Sequence, residues 1–251
     1  MSEVESTRAV IEVLFPEYGN QGGDNGNALL LRQSLPGATF IETRYGDEPY
    51  FVRNEPSLII MSSMPEMQQE NALKALLPRR DRLAALVDAG VPMLVTGSAC
   101  DLLCQRIVSP GGTAIEALGI VDAVCRRSEP HRYLDVNLGT FDPADGTPPI
   151  ELVGFKIQFT QIEGDNSTSY FSRNEVGFGL REGMQLEGFR KRNLLATWML
   201  GPILPLNPDF TAWLLRLVTG RDIRPAHEAL SRASHAARVK EFRIKGAGIH
   251  V

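Results

Sequence analysis

The sequence predicts an α/β fold built on a doubly wound, mostly parallel sheet, and two observations carry that prediction. Short apolar or β-branched runs alternate with helix-length amphipathic stretches along the first 125 residues. The runs are apolar throughout rather than alternating, as strands covered by helices on both faces are, so each is joined to the next by a right-handed crossover.

Taken in order, Ala9–Phe15 reads as the first strand, Gly19–Gly26 as a turn and Asn27–Leu35 as a helix with leucines at 29, 30, 31 and 35. Ala38–Thr43 and Ser57–Met61 follow as strands. Asn71–Ala89 carries Leu73, Leu76, Leu77, Leu83 and Leu86 at helical spacing, with Pro78 predicting a kink or a break into two helices. Pro92–Thr96 is a fourth strand, and a helix is expected over Ala99–Val108. In the second half Tyr133–Leu138, Ile150–Phe159, Gln185–Phe189 and Asn193–Leu200 read as strands. A helix over Asp209–Leu217 starts at Pro208 and stops near Gly220, and Pro225–Val239 forms a last surface helix. With no repeat and no linker-like break in composition, residues 9–220 are expected to form one domain, preceded by a flexible segment 1–8 and followed by a helical extension and tail over 221–251.

Composition narrows the function classes. The 251 residues hold 26 Lys and Arg against 30 Asp and Glu, a net charge of −4, so the chain has no field for gripping a phosphate backbone and no nucleic-acid partner is expected. The apolar runs Leu58–Met61 and Val91–Val95 fall far short of the roughly 20 residues a bilayer span needs, and Met1–Thr7 is too acidic and polar for a signal sequence. Three cysteines, Cys100, Cys104 and Cys125, make an odd count in a chain large enough to fold without staples. Free thiols in a reducing cytoplasm are therefore expected.

Three turns at strand ends hold the candidate site. The first, Pro16–Asn27, is dense in residues that tolerate positive φ or bond to the backbone, and the carboxyl edge of a parallel sheet is where ligands bind. Asn20, Asp24 and Asn27 are read either as pocket lining or as caps that hold the turn. The second, Met61-Ser62-Ser63-Met64-Pro65-Glu66, offers Ser62, Ser63 and Glu66 as ligand contacts or as the cap of the next helix. The third, Thr96-Gly97-Ser98-Ala99-Cys100-Asp101, has the form of a strand-to-helix elbow, where such folds mount a nucleophile. Ser98 and Asp101 are its polar members. Cys100 near a helix start can have a lowered pKa, but Cys100 and Cys104 at i,i+4 also describe a buried helical face. Neither a phosphate loop nor a three-glycine dinucleotide turn is present. The histidines at 131, 227, 235 and 250 match no metal-binding spacing, so neither cofactor nor metal is expected.

Read together, these turns are similar to the class I glutamine amidotransferase-like family, which includes the amidotransferase subunit of lipid II isoglutaminyl synthase and the glutaminase domain of cobyric acid synthase. The resemblance runs from about Val10 to Leu215. It rests on Phe15-Pro16-Glu17-Tyr18 through Gly23-Asp24-Asn25-Gly26-Asn27, on Ala117–Ala123, on Gly154-Phe155, and on Gly201-Pro202-Ile203-Leu204-Pro205-Leu206-Asn207-Pro208. It implies a three-layer, flavodoxin-like amidotransferase fold with additional strands in the second half. The chemistry it implies is attack of a Cys thiolate on a glutamine amide, with a His as acid/base and backbone N–H groups stabilising the oxyanion. Ammonia would then pass to a partner, a Mur-ligase-like or other ATP-dependent ligase subunit in cell-wall precursor amidation.

The departures from the family pattern concern that chemistry directly. The resemblance puts Gly97 at the nucleophile position and Leu200 at the histidine position, and shifting the register by one residue offers only Thr96 and Met199. The glycine-rich oxyanion turn becomes Ser62-Ser63-Met64, and the family's Gly-Phe-Glu-Asn-His segment becomes Gly154-Phe155-Lys156-Ile157-Gln158, which adds Gln158 to the candidate pocket. A catalytically degenerate subunit with a binding, scaffolding or regulatory role is the leading expectation. Its alternative is an active amidotransferase using Cys100, with Asp101 or Glu66 near it. A third reading is a different small-molecule function in the same cleft, either binding of a small polar ligand such as glutamine or a non-covalent hydrolysis.

Overall fold

The computed structural model describes residues 9–245. The elements run β1 (Val10–Leu14), α1 (Gly26–Ser34), β2 (Thr39–Thr43), β3 (Leu58–Met61), α2 (Glu66–Leu76), α3 (Arg80–Ala89), β4 (Met93–Thr96), β5 (Arg106–Val108), β6 (Ala114–Glu116) and β7 (Ala123–Arg127). They continue with β8 (Tyr133–Phe141), β9 (Ile150–Gln158), β10 (Thr160–Gly164), β11 (Ser172–Val176), β12 (Leu186–Glu187), β13 (Phe189–Lys191), β14 (Leu194–Thr197), α4 (Ile203–Leu206), α5 (Pro208–Thr219) and α6 (Glu228–Lys245).

The central sheet has the order β13-β14-β4-β3-β1-β2. Its five strands β2, β1, β3, β4 and β14 are parallel, in the flavodoxin-like order, and β13 closes one edge antiparallel. The apolar strands serve two faces at once because side chains alternate. Ile59, Met61, Met93 and Val95 join Leu73, Leu76, Leu83, Leu86 and Val87 of α2 and α3 in one core. Leu58, Ile60 and Leu94 join Leu30 and Leu31 of α1 and Phe210, Leu214 and Leu215 of α5 in the other. That division is the physical content of a three-layer fold. Two further four-stranded sheets, β10-β7-β5-β6 and the antiparallel β12-β11-β8-β9, are built from the middle and later part of the chain. No helix among the described residues is long and apolar enough to cross a membrane.

Several expectations need correction. The helix expected over Ala99–Val108 is a 3-10 helix over Gly97–Leu103 followed by β5. Ala99 through Cys104 are all buried, so this turn has no polar face to keep an amphipathic helix going. Ile107 and Val108 are β-branched and pair with β7 instead. The helix expected from Asn71 begins at Glu66, and it breaks at Pro78 as the proline requires. The strand expected over Gln185–Phe189 divides at Gly188, whose φ of +65° and 2.2 Å approach of a would-be Cβ to the Ala196 carbonyl exclude any side chain. The strand expected over Asn193–Leu200 ends at Thr197, and Leu200 bridges to Phe155 across the sheets. The last helix runs later than Pro225–Val239, over Glu228–Lys245. Segment 1–8 and the last six residues lie outside the described residues.

Candidate functional site

The loops that leave β1, β3, β4 and β14 meet at the carboxyl edge of the parallel sheet, and a cleft of about 160 Å³ opens beside them. Its walls come from Gln21 and Gly22 after β1, Glu66 at the start of α2, Ser98 and Asp101 after β4, Leu200 after β14, and Arg132 and Ile157–Thr160 from the β8–β9 side.

Asp24 and Asn27 lie beneath this cleft, fully buried, and act as braces. Asp24 accepts hydrogen bonds from the Ser63 N–H at 3.1 Å, from Asn27 Nδ2 at 2.8 Å and from the Thr96 hydroxyl. Asn27 Oδ1 in turn accepts the Leu204 N–H at 2.9 Å. One carboxylate and one amide thereby tie the ends of β3 and β4 and the start of α4 to the first turn. Burial pushes the Asp24 carboxyl up, against the pull of these donors. Of the first turn's candidates none lines the cleft: Asn20 is exposed and accepts the Asn25 N–H at 3.3 Å, while its neighbours Gln21 and Gly22 supply the wall instead.

At the elbow the structure brings Gly97 and Leu200 face to face. Gly97 has φ of +59°, and a Cβ placed on it would come within 2.5 Å of Leu200 Cδ2 and of the Ser63 Cβ and Oγ. The space into which a side chain at the elbow would project is thus occupied by Leu200 and Ser63. Leu200 is held there by two backbone hydrogen bonds with Phe155, at 2.8 and 3.2 Å.

The backbone N–H groups around the elbow are already engaged. The Ser98 N–H donates to Ser63 Oγ at 3.2 Å, the Met64 N–H to Ser98 Oγ at 3.0 Å, and the Ser63 N–H to Asp24. The two serine hydroxyls lie 3.0 Å apart, and Gln21 Oε1 accepts from Ser63 Oγ at 3.2 Å. Ser62 is buried and does not reach the cleft wall. At the floor, Asp101 accepts from Trp198 Nε1 at 2.8 Å and from Gln69 Nε2 at 2.9 Å, and the Arg127 guanidinium donates to Gln69 Oε1 at 2.7 Å. Burial raises the Asp101 pKa, while these donors and Arg127 oppose the rise.

Cys100 is placed away from the cleft. Its Sγ is fully buried and bonds the Val95 and Thr197 carbonyl oxygens at 3.2 and 3.3 Å, between β4 and β14. Burial, reinforced by the negative charges of Asp101 and Glu187, pushes this thiol well above its ordinary pKa, the reverse of what a nucleophile needs. Cys104 and Cys125 are buried and raised in the same way. His131 packs edge-on against Tyr133, His227 bonds Gln33, and His235 bonds the Leu206 carbonyl oxygen. His250 lies outside the described residues. Among the described residues no cysteine or histidine lines the cleft, and no group of three or more His, Cys, Asp or Glu could hold a metal.

Sequence reading had passed over Gln21, Arg132 and Thr160 as wall residues. Only Gln21 carried a signal, its place in a turn already singled out. Arg132, in the loop just before β8, and Thr160, at the start of β10, belong to the second half, whose position against the first-half edge no local pattern encodes.

No family model matches the chain. It is 27% identical over 164 residues to the lipid II isoglutaminyl synthase (glutamine-hydrolyzing) subunit GatD of Staphylococcus aureus, a match covering 64% of this chain and 63% of that protein. Among solved structures, a glutamine amidotransferase from Thermotoga maritima superposes with a TM-score of 0.51 over 96% of this chain and 94% of that one, at 9% sequence identity. The second likeness is one of fold.

Proposed function

Because the chain resembles glutamine amidotransferases in sequence and in fold, we propose that it is a non-catalytic amidotransferase-like subunit that binds or regulates rather than hydrolyses glutamine. The observation that carries this reading is the Gly97–Leu200 contact. Hydrolysis through a covalent intermediate needs a nucleophile and a base within hydrogen-bond reach, and the elbow offers a residue without a side chain, facing an aliphatic one across 2.5 Å from the missing Cβ. The engaged N–H groups of Ser63, Met64 and Ser98 support it independently, since an oxyanion needs donors free to turn toward it. Cys100 cannot substitute, being sealed between two strands with its pKa raised. The subunit's partner would be a Mur-ligase-like or other ATP-dependent ligase acting on cell-wall precursors in the cytoplasm.

An electrophilic diazo-ketone analogue of glutamine tests the covalent route. Intact-mass analysis is expected to show no adduct on the native chain, and alkylation of Cys100, Cys104 and Cys125 by a small electrophile only after unfolding. A stoichiometric adduct on the folded chain that disappears in Cys100→Ser would overturn the reading.

A further inference from the structure

Helix α6 lies against the body of the protein on one side and carries an apolar stripe on the other. Its inner side is fixed. Ser231 Oγ donates to the Pro205 carbonyl, His235 Nδ1 bonds the Leu206 carbonyl oxygen at 2.9 Å, and Val239 and Phe242 pack with Leu138 and Val153. On the outer side Leu230, Ala233, Ala237, Lys240 and Ile244 recur at intervals of three and four, which makes them one line along the helix. All of them are exposed, Leu230 at 73% and Ile244 at 69%.

Beside Leu230 the helix borders a groove of about 310 Å³, lined also by Leu29 and Leu30 of α1 and by Pro205 and Leu206 of α4. Leu29 is 56% exposed there. The outer face of α6 thus holds a projecting apolar side chain, Ile244, near one end and an apolar hollow, beside Leu230, near the other. The two lie seven residues either side of Ala237. Such a face is complementary to itself, because a twofold axis beside Ala237 and perpendicular to the helix brings Ile244 of each copy to the groove of the other. Ala233 and Ala237, which project only methyl groups, let two helix axes approach closely where they cross. Charge selects the direction of the pairing. A parallel arrangement stacks Lys240 on Lys240, whereas the antiparallel one sets Lys240 opposite Ser234 and Glu241 opposite Ala233.

From this self-complementarity we infer that α6 is a contact between two copies of this chain, paired antiparallel about Ala237 with Ile244 of each seated in the α1–α6 groove of the other. No residue of α6 lines the cleft, so the inference stands apart from the non-catalytic reading. The 18 residues of α6 make a helix about 27 Å long. One such face falls short of the roughly 800 Å² per partner of a standard interface, and the dimer is therefore expected to be reversible, forming at micromolar concentration or above.

Sedimentation velocity of the chain, from low micromolar to millimolar concentration, is expected to show a reversible passage from monomer to dimer. Ala237→Glu sets two carboxylates together at the axis, and Ile244→Ser removes the side chain that fills the groove. Each should weaken association at least tenfold and leave Tm unchanged, since both positions are exposed. Oxidative crosslinking reads the orientation through introduced surface thiols, the native cysteines all being buried. An equimolar mixture of Leu230→Cys and Ile244→Cys chains should give the mixed disulfide-linked dimer in preference to either self-linked one. A monomer at every concentration, association unchanged in both variants, or preferential self-linking of Leu230→Cys would overturn the inference.

Discussion

Gly97→Ala is expected to destabilise the fold by about 2–5 kcal/mol, the sum of about 1–2 kcal/mol for a side chain in left-handed backbone and about 1–3 kcal/mol for overpacking. Both contributions follow from the elbow geometry, a φ of +59° and a Cβ 2.5 Å from Leu200 and Ser63. For a chain of this length that is a fall in Tm of roughly 4–20 °C, read by thermal unfolding. Adding Leu200→Ala opens the space that the new methyl needs and should recover part of the loss, leaving the backbone share. A Tm within a degree of the parent in Gly97→Ala would show that the elbow has room for a side chain, and with it room for a nucleophile.

Lys156→Met is expected to cost about 3–5 kcal/mol, because it leaves Glu187 charged and unpaired in the interior. Both side chains are fully buried. Lys156 Nζ donates to Glu187 Oε2 and to the Gly179 carbonyl and lies 4.6 Å from the centre of the Phe178 ring. Burial pulls the Lys156 pKa down while Glu187 holds it up. Glu187 reaches further: its Oε1 accepts the Trp198 N–H at 2.7 Å and the Thr197 hydroxyl at 3.0 Å, so the pair fastens the antiparallel sheet to the end of β14 from which Leu200 hangs. The double variant Lys156→Met, Glu187→Gln keeps an oxygen for the Trp198 N–H and removes the stranded charge. Denaturant unfolding should therefore find it more stable than Lys156→Met alone. Simple addition of the two single losses would contradict a coupled pair.

What could be read in the sequence, and what could not, divides along contact range. The strands of the parallel sheet were legible because a run such as Leu58–Met61 is apolar on both faces, and only a strand covered on both sides has that property. The break at Pro78 was legible because proline removes a donor and clashes with the preceding turn. The segment after Gly97 was misread, since four-residue spacing of Cys100 and Cys104 fits an α-helix and only the complete burial of Ala99–Cys104 turns it into a tighter coil.

In the site, Asp24 and Asn27 declared themselves as unusual turn residues. Whether they face a ligand or the interior depends on Thr96 and Leu204, far along the chain, and so no local pattern decides it. Lys156 entered the sequence reading only as part of a segment that departs from the family pattern, and its partner Glu187 lies on another strand 31 residues away. The juxtaposition of Gly97 and Leu200 was expected from a family resemblance rather than from any property of a glycine or a leucine.

Ammonia release from L-glutamine by the chain, alone and with a Mur-ligase-like partner supplied with ATP, decides whether the elbow has lost its chemistry. With Gly97 and Leu200 facing each other at the elbow and every thiol among the described residues buried, release is expected to stay at the rate of the protein-free control in both cases. Turnover at the 1–10³ s⁻¹ typical of enzymes, abolished by Cys100→Ser or by any substitution in the cleft wall, would contradict it.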